Sequence, residues 1–233
     1  MNIAKLSQKF LSNLRVETWF AEETTSTNTI AKEDAASVHA PLKVYIASHQ
    51  TAGRGRNQNT WSDDGHALLS SWSFSFEKNP QPILAPLVGL TVYQNLTRRF
   101  LGIPFSLKAP NDILIGKEKL CGILIENVLT GTQGRSIVGI GMNVTDSPPN
   151  LGATHLMNHT EVNEKIWQNF LQGLATDLAL CMKAAESAEL KPEACRDLLG
   201  ALRKNPLLTD ELNEVSPSGS LHFKNQTIDW KTL

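Results

Sequence analysis

Cysteine is scarce in this sequence of 233 residues, which contains only Cys121, Cys181 and Cys195. The three are odd in number, lie far apart and show no metal-ligand spacing, so neither a disulfide framework nor a zinc site is expected. Reduced thiols are typical of proteins in the cytosol. The sequence therefore predicts a cytoplasmic protein whose fold does not depend on disulfide bonds.

The sequence also lacks an excess of positive charge and any long apolar run. Its formal net charge is −1, so a broad basic surface for nucleic acid is not expected. No stretch approaches the ~20 apolar residues that a membrane-spanning helix needs, and the N-terminus lacks the apolar core of a signal peptide. Hydrophobic residues make up 41% of the chain, which is enough for one core with a small appendage. We therefore expect neither nucleic acid nor membrane as a partner.

The order of helix and strand patterns predicts an α/β fold. Helical spacing of apolar residues covers residues 2–14, 29–36, 82–101, 161–184 and 192–203. Strand patterns cover residues 16–21, 42–48, 67–76, 105–107, 113–115, 119–129, 136–144, 220–223 and 226–230. Within residues 67–76, alternation from Ser70 onward predicts one buried aromatic face and one polar face. We expect a sheet core over residues 16–145 with helices packed on it.

A loop rich in glycine and arginine follows the strand pattern at residues 42–48. It reads Gln50-Thr51-Ala52-Gly53-Arg54-Gly55-Arg56 and has neither a helix nor a strand pattern. Glycine lets the backbone come close to a bound group, and each guanidinium offers a fork of donors that suits phosphate and carboxylate oxygens. The loop is either a clamp that orders around an anionic ligand or a solvated loop with two surface charges.

Four other segments carry candidate chemistry, each with an ordinary alternative. In Thr24-Thr25-Ser26-Thr27-Asn28 one residue suffices to cap the following helix, which leaves the others to bind a ligand. Lys108 ends a strand, where an ammonium can neutralise an anion, although most lysines are surface residues. Asn111-Asp112 offers oxygen ligands for a divalent cation or simply turn chemistry. Gly139-x-Gly141 is weak by itself, because its glycines can simply let a neighbouring element approach.

Taken in chain order, these segments resemble the motifs of biotin protein ligases. The carriers of the resemblance are Ser26-Thr27-Asn28, Gln50 to Arg56 with Trp61, Lys108-x-Pro110-Asn111-Asp112, Lys119-Leu120-x-Gly122-Ile123-Leu124-Ile125-Glu126 and Gly139-Ile140-Gly141-Met142-Asn143. Each motif is modest alone, but five in this order at suitable separations make a specific signal. No Ser-His-Asp set, Walker loop or dinucleotide fingerprint competes with it.

The resemblance implies a two-step reaction and a fold. Biotin and MgATP would give biotinyl-5′-AMP, and the biotinyl group would pass to a lysine of a carrier domain such as that of acetyl-CoA carboxylase. Biotin, ATP and Mg²⁺ would act as substrates, without a tightly bound prosthetic group. The catalytic domain would cover residues 1–205, with the mixed sheet and flanking helices of class II aminoacyl-tRNA synthetases. Residues 206–233 would form a reduced SH3-like barrel, in a monomer or homodimer.

The resemblance also assigns roles to individual residues. Contacts with biotin are implied for Ser26, Thr27, Asn28, Gln50, Gly53, Arg54, Gly55, Arg56, Lys108 and Gly122. Contacts with ATP are implied for Arg54, Arg56, Trp61, Lys108, Asn111, Lys119 and Asn143. The catalytic residues would be Lys108, Arg54 and Arg56, which stabilise charge as the carboxylate of biotin attacks, and Asp112 is the candidate for contact with magnesium.

The sequence departs from the family pattern in several places. Ala109 stands where the family usually has tryptophan, and Asn57-Gln58-Asn59 replaces further basic and glycine residues of the loop. The C-terminal domain is short, and no N-terminal DNA-binding helices are expected, so transcriptional repression is not predicted. Two alternatives stay open, namely a lipoate or octanoate ligase and a degenerate protein that binds biotin or its adenylate without transfer.

Overall fold

The computed structural model describes residues 1–62, 65–130, 133–149 and 151–232. Packing divides the chain into one unit of Met1–Lys78 with Leu120–Gln172 and a second unit of Asn79–Lys119 with Gly173–Leu233. The domain boundary predicted at residue 205 comes from the family resemblance and not from the packing, and it stays a prediction. The last residue of the predicted C-terminal domain, Leu233, lies outside the described residues. None of the helices in these ranges is both long and apolar enough to cross a membrane.

Helices and strands follow one another largely as the sequence patterns predict. The helices of the described residues are α1 (Ile3–Asn13), α2 (Thr27–Glu33), α3 (Leu84–Arg99), α4 (Glu164–Ala184) and α5 (Pro192–Arg203). The strands are β1 (Glu17–Thr24), β2 (Leu42–Gln50), β3 (Ala67–Phe76), β4 (Phe105–Lys108), β5 (Asp112–Ile115), β6 (Glu118–Thr130), β7 (Gln133–Asn143), β8 (Leu212–Val215), β9 (Leu221–Phe223) and β10 (Thr227–Ile228).

The first unit is built on a mixed sheet with the strand order β1-β2-β3-β7-β6. Strands β1 and β2 are parallel, whereas the three following pairs are antiparallel. The register places Tyr45 opposite Ser71 and Ser71 opposite Gly139, so these residues share one face of the sheet. Helix α2 packs on that face against β2, β3 and β7.

Strand β3 differs from its predicted pattern. The alternation predicted a polar face, yet every residue from Ala67 to Phe74 is buried. The serines are buried because they are hydrogen-bonded. The Ser71 hydroxyl donates to Thr27 and Asn28, and the Ser73 hydroxyl accepts from the Nε of the buried Arg135 at 2.7 Å. The aromatic face is buried as predicted, and the serine face is buried as well, because both faces of the strand from Ala67 to Phe74 are interior surfaces.

Helix α2 begins at Thr27, two residues before the predicted start. Ser26 stands at the N-cap position, but its side chain does not cap the helix. Instead, Gln50 Oε1 at the end of β2 accepts a hydrogen bond from the backbone N–H of Thr27 at 2.7 Å. Further along the helix, the buried Ala31 packs against Tyr45. A side chain distant in sequence thus satisfies the helix terminus.

A carboxylate fixes the other end of α2. Asp34, which directly follows the helix, accepts hydrogen bonds from Lys43 Nζ at 2.6 Å and Tyr45 Oη at 2.7 Å, and a third from Ser37. Burial alone would raise the pKa of Asp34, but the hydrogen bonds from Lys43, Ser37 and Tyr45 outweigh it and lower the pKa from 3.8 to about 2. The helix is therefore tied to β2 by a charged group.

The second unit contains the hairpin of β4 and β5, in which Lys108 lies opposite Asp112. Helices α3 and α5 both pack against β4. In the tail, β8, β9 and β10 form an antiparallel sheet; β8 was not predicted. Trp230 lies in a short 3₁₀ turn rather than in the predicted strand, and its buried indole Nε1 donates to the Pro110 carbonyl at 3.2 Å.

We expect Asp34→Asn to destabilise the protein at neutral pH by about 2 kcal/mol. The folded-state pKa of Asp34 lies below that of the unfolded chain, so its charged form stabilises the fold above about pH 4, and this contribution is lost as the pH falls towards about 2. Urea unfolding from about pH 7 to about pH 2 should therefore show a gap between wild type and variant that closes in acid. The exposed neighbour Glu33, changed to Gln, is the control and should follow the wild type. A gap of constant size would contradict the role of this charge.

Candidate ligand-binding site

One face of the first unit's sheet has a patch without large side chains. Gly139 and Gly141 lie two residues apart on β7 and so belong to the same face. Gly122 on β6 pairs with Gly141, and Ser71 on β3 pairs with Gly139. We call these four residues the floor. Because none of them has a side chain larger than that of serine, other groups can approach the backbone of the sheet here.

Two side chains use this room. A Cβ atom at Gly139 would lie 2.5 Å from Asn28 Oδ1, and one at Gly141 would lie 2.7 Å from Trp61 Cε2. Both distances are shorter than real Cβ contacts, so a side chain at either position would push Asn28 or Trp61 away. This confirms the interpretation that Gly139-x-Gly141 lets a neighbouring element approach.

The segment Ser26-Thr27-Asn28, which we call the polar run, is buried above the floor. Ser26, Thr27 and Asn28 are between 3% and 4% exposed. Gln50 Oε1 accepts from the Thr27 hydroxyl at 3.1 Å as well as from its backbone N–H, and the Ser71 hydroxyl donates to Thr27 Oγ1 at 2.8 Å and to Asn28. The structure therefore brings the predicted residues of two motifs together and adds Ser71, which the strand pattern had placed on the polar face without a role.

The Gly/Arg loop is closed by its own backbone. The Trp61 N–H donates to the Gly53 carbonyl at 3.0 Å, the Gly55 N–H donates to the carbonyl of Asn59 at 2.7 Å, and Arg54 forms a β-bridge with Thr60. The loop includes a short 3₁₀ turn, Arg56–Gln58. It therefore has internal structure where the sequence showed no pattern, and its ordering around a ligand stays a prediction.

One carboxylate joins the polar run to the loop. Glu126 on β6 accepts from Asn28 Nδ2 at 2.9 Å, from Lys32 Nζ at 2.8 Å and from a terminal nitrogen of Arg54 at 3.1 Å. Burial raises the pKa of Glu126, but the hydrogen bonds from Lys32 and Asn28 and the charges of Arg54 and Lys32 outweigh it, so the net pKa is lowered. The group is therefore a carboxylate at neutral pH.

Sequence reasoning gave Glu126 no role and did not consider Lys32. The available signal was the helical spacing of Asn28 and Lys32, since residues four apart lie on the same face of a helix and can reach one partner. That signal does not name the partner, because Glu126 lies 94 residues beyond Lys32.

Other predicted site residues lie in the second unit. Lys108 is exposed at the end of β4, and the Lys119 ammonium lies 2.7 Å from Asp112 Oδ1. This ion pair balances the charge of Asp112 and weakens the argument for a magnesium ligand there. In the described part of the chain, no group of three or more His, Cys, Asp or Glu residues is placed to hold a metal. The magnesium contact of Asp112 and the ATP contacts of Asn111 and Lys119 stay predictions.

Asn143 ends β7 in the first unit. Its side chain is 3% exposed, and its Nδ2 donates to the Thr154 carbonyl at 3.1 Å. The amide group is therefore already bonded within the protein. Its assignment as a neighbour of the nucleotide stays a prediction.

Known proteins match this site region. Residues 20–143 match the model of the biotin/lipoate A/B protein ligase family. The chain is 36% identical over 129 residues to the bifunctional ligase/repressor BirA of Bacillus subtilis and 34% identical over 113 residues to the biotin–[acetyl-CoA-carboxylase] ligase of Mycobacterium tuberculosis. These alignments cover 53% and 45% of this chain, and 39% and 40% of the two relatives. The match thus spans about two fifths of each relative.

Solved structures match over more of the chain. The biotin protein ligase of Aquifex aeolicus in complex with biotin and ATP has a TM-score of 0.67 at 24% identity, covering 91% of this chain and 94% of that one. The biotin acetyl coenzyme A carboxylase synthetase of Helicobacter pylori has a TM-score of 0.64 at 20% identity, covering 92% and 99%. At these identities the likeness establishes the fold, and it confirms the predicted mixed sheet flanked by helices.

We expect Gly139→Ala to lower the free energy of unfolding by about 1–3 kcal/mol, because the new methyl group meets an Asn28 amide that three hydrogen bonds hold in place. Gly200→Ala in α5 is the control, since a Cβ there meets nothing within 4 Å. Propensity alone favours alanine at both positions. Urea unfolding measures the two changes: Gly200→Ala should leave the stability unchanged or raise it, and a Gly139→Ala variant that is equally stable would show that the close approach is not limiting.

Proposed function

Because this chain belongs to the biotin/lipoate A/B protein ligase family, we propose that it activates biotin with ATP and transfers it to a lysine of a carrier protein. One observation carries the proposal. The polar run at Asn28, the Gly/Arg loop with Trp61, and the glycines of β7 are far apart in sequence, yet they meet over the floor of one sheet. Several of the motifs that carry the resemblance therefore contribute residues to one cluster.

The proposed reaction has two steps. In the first, a carboxylate oxygen of biotin attacks the α-phosphorus of MgATP, the bond to the leaving pyrophosphate breaks, and biotinyl-5′-AMP forms. In the second, the amine of the acceptor lysine attacks the acyl carbon, AMP leaves, and an amide forms with loss of a proton. Because the biotin carboxylate is already a nucleophile, the first step needs positioning and charge stabilisation rather than a general base. Magnesium enters with the nucleotide as substrate.

In this proposal the buried polar groups bind the uncharged, polar part of biotin. Thr27, Gln50 and Ser71 form one hydrogen-bonded chain over the floor. A fixed chain of donors and acceptors selects a ligand with matching polar groups, because a ligand that lacks them leaves buried groups unpaired. Ser26 and Asn28 are the neighbouring candidates for contact with biotin.

The proposed anion contacts come from the loop. Arg54 and Arg56 supply guanidinium groups suited to carboxylate and phosphate oxygens. Trp61, whose ring lies against Gly141, is assigned to pack near the adenine. A loop that covers the mixed anhydride also excludes water, which would otherwise hydrolyse it.

Lys108 is assigned to contact the biotin carboxylate and the α-phosphate. A preorganised donor at the position of developing charge is typically worth about 3–4 kcal/mol in the transition state. The motif that carries Lys108 has Ala109 in place of the usual tryptophan. Its neighbour Pro110 accepts the hydrogen bond from Trp230, so a tail residue supports the loop of this motif.

The acceptor is proposed to be the biotin carboxyl carrier domain of acetyl-CoA carboxylase, by analogy with the name of the Mycobacterium tuberculosis relative. The test combines two assays with the full chain. ATP–pyrophosphate exchange is measured with biotin, lipoate or octanoate, and labelling of the carrier domain is measured with biotin and MgATP. We expect exchange with biotin but not with lipoate or octanoate, and we expect labelling of one lysine of the carrier domain. Exchange with lipoate or octanoate alone would establish the alternative ligase, and bound biotin without labelling would establish a non-transferring binder.

We expect Lys108→Ala to reduce biotin-dependent exchange by about 100-fold or more while the fold stays intact. Lys108 is exposed, so its removal leaves no cavity, and the circular dichroism spectrum should match that of the wild type. Lys9→Ala removes an exposed lysine of α1 and should leave exchange unchanged. Exchange by Lys108→Ala at the wild-type rate would remove the proposed role of this ammonium.

A further inference from the structure

Three separate segments meet at the Glu126 side chain, which is 23% exposed. Asn28 and Lys32 come from α2, Arg54 comes from the Gly/Arg loop, and the carboxylate itself stands on β6. Its partners are thus drawn from segments 72 to 98 residues away in the sequence. A carboxylate with two oxygens can hold all three donors at once, so the geometry of α2 and the loop depends on one residue.

The two oxygens of Glu126 divide these partners. Oε2 accepts from Asn28 and Arg54, whereas Oε1 accepts from Lys32. The oxygen that contacts Arg54 therefore also fixes the amide that lies over Gly139. A shift of this carboxylate would move the guanidinium and the amide together.

The charges of the cluster sum to a positive value. Glu126 contributes one negative charge, and Lys32 and Arg54 contribute one positive charge each. Lys32, whose Nζ is 2.8 Å from Oε1, balances the carboxylate. Arg54 therefore keeps a net positive charge, although one terminal nitrogen of its five-donor guanidinium contacts Glu126.

We propose that Glu126 is a positioning residue of the anion-binding loop. Its carboxylate sets the Arg54 guanidinium and the Asn28 amide in one arrangement, and Lys32 neutralises it so that Arg54 retains its charge for an anionic ligand. This inference rests on the proposed function, because the ligand groups are the carboxylate of biotin and the phosphates of ATP. It excludes the opposite role, in which Glu126 competes with the ligand for Arg54.

The test measures kcat and KM for biotin and for ATP in the exchange assay, together with biotin affinity by calorimetry. Glu126→Gln keeps the shape of the side chain and removes its charge. We expect kcat/KM to fall roughly ten- to hundredfold, as for loss of a charge-assisted hydrogen bond. In an Arg54→Ala background the same change should cause a clearly smaller loss, because the part that acts through Arg54 is already gone and only the contacts with Asn28 and Lys32 remain.

Matched variants separate charge from geometry. Glu118→Gln changes an exposed glutamate of the same strand and should behave as wild type. Glu126→Asp keeps the charge but shortens the side chain, so it should also lose activity if position matters. Lys32→Met should weaken biotin and ATP binding, whereas Lys32→Arg, which keeps the charge, should restore it.

The outcomes are distinct. If the wild type shows no exchange with biotin, the proposed function fails and the role of Glu126 in it fails as well. If the wild type is active, tighter binding by Glu126→Gln establishes competition for Arg54 and overturns the inference. Equal losses from Glu126→Gln in the wild-type and Arg54→Ala backgrounds would show a general structural role and would also overturn it. Should Glu126→Gln fail to fold, the other variants decide. Loss of activity by Glu126→Asp and weaker binding by Lys32→Met support the inference, whereas unchanged activity or tighter binding overturns it.

Discussion

The approach of helix α2 to the sheet depends on the absence of a side chain at Gly139. Asn28 occupies the space that a Cβ atom would fill, and from there its amide reaches both Ser71 and Glu126. A helix displaced by the width of one methyl group would lose these hydrogen bonds together. The polar run and the Gly/Arg loop are therefore placed by a packing constraint before any ligand contributes.

Polar groups in this region are buried at a low net cost because they satisfy one another. The Thr27, Gln50 and Ser71 side chains bond among themselves, and the Glu126 carboxylate is surrounded by donors. An unpaired polar group in such surroundings would cost about 1–3 kcal/mol. The network thus has two consequences. It fixes one arrangement of side chains, and the removal of one member weakens the hydrogen bonds of the others.

Sequence patterns predicted the order of elements and the motifs, because both depend on residue type and local spacing. The glycines of β7 and the arginines of the loop belong to this class, since few residue types can replace them. What the patterns missed depends on contacts between distant segments. The polar face of β3 is buried because Ser71 bonds to Thr27, which lies 44 residues earlier in the sequence. Helix α2 starts early because Gln50, 23 residues after Thr27, accepts the hydrogen bond of its backbone N–H. A sequence pattern that extends over about ten residues cannot reveal either of these contacts.

The floor also limits which substitutions this part of the sheet accepts. Three of its four residues are glycine, and no amino acid is smaller. A side chain at Gly139 or Gly141 can therefore only fill space that Asn28 or Trp61 already occupies, so it would displace those residues. More room would have to come from Asn28 or Trp61, the side chains that lie on the floor. Since Asn28 is also bonded to Ser71 and Glu126, its replacement would disturb the helix and the loop together, so enlarging this space is costlier than filling it.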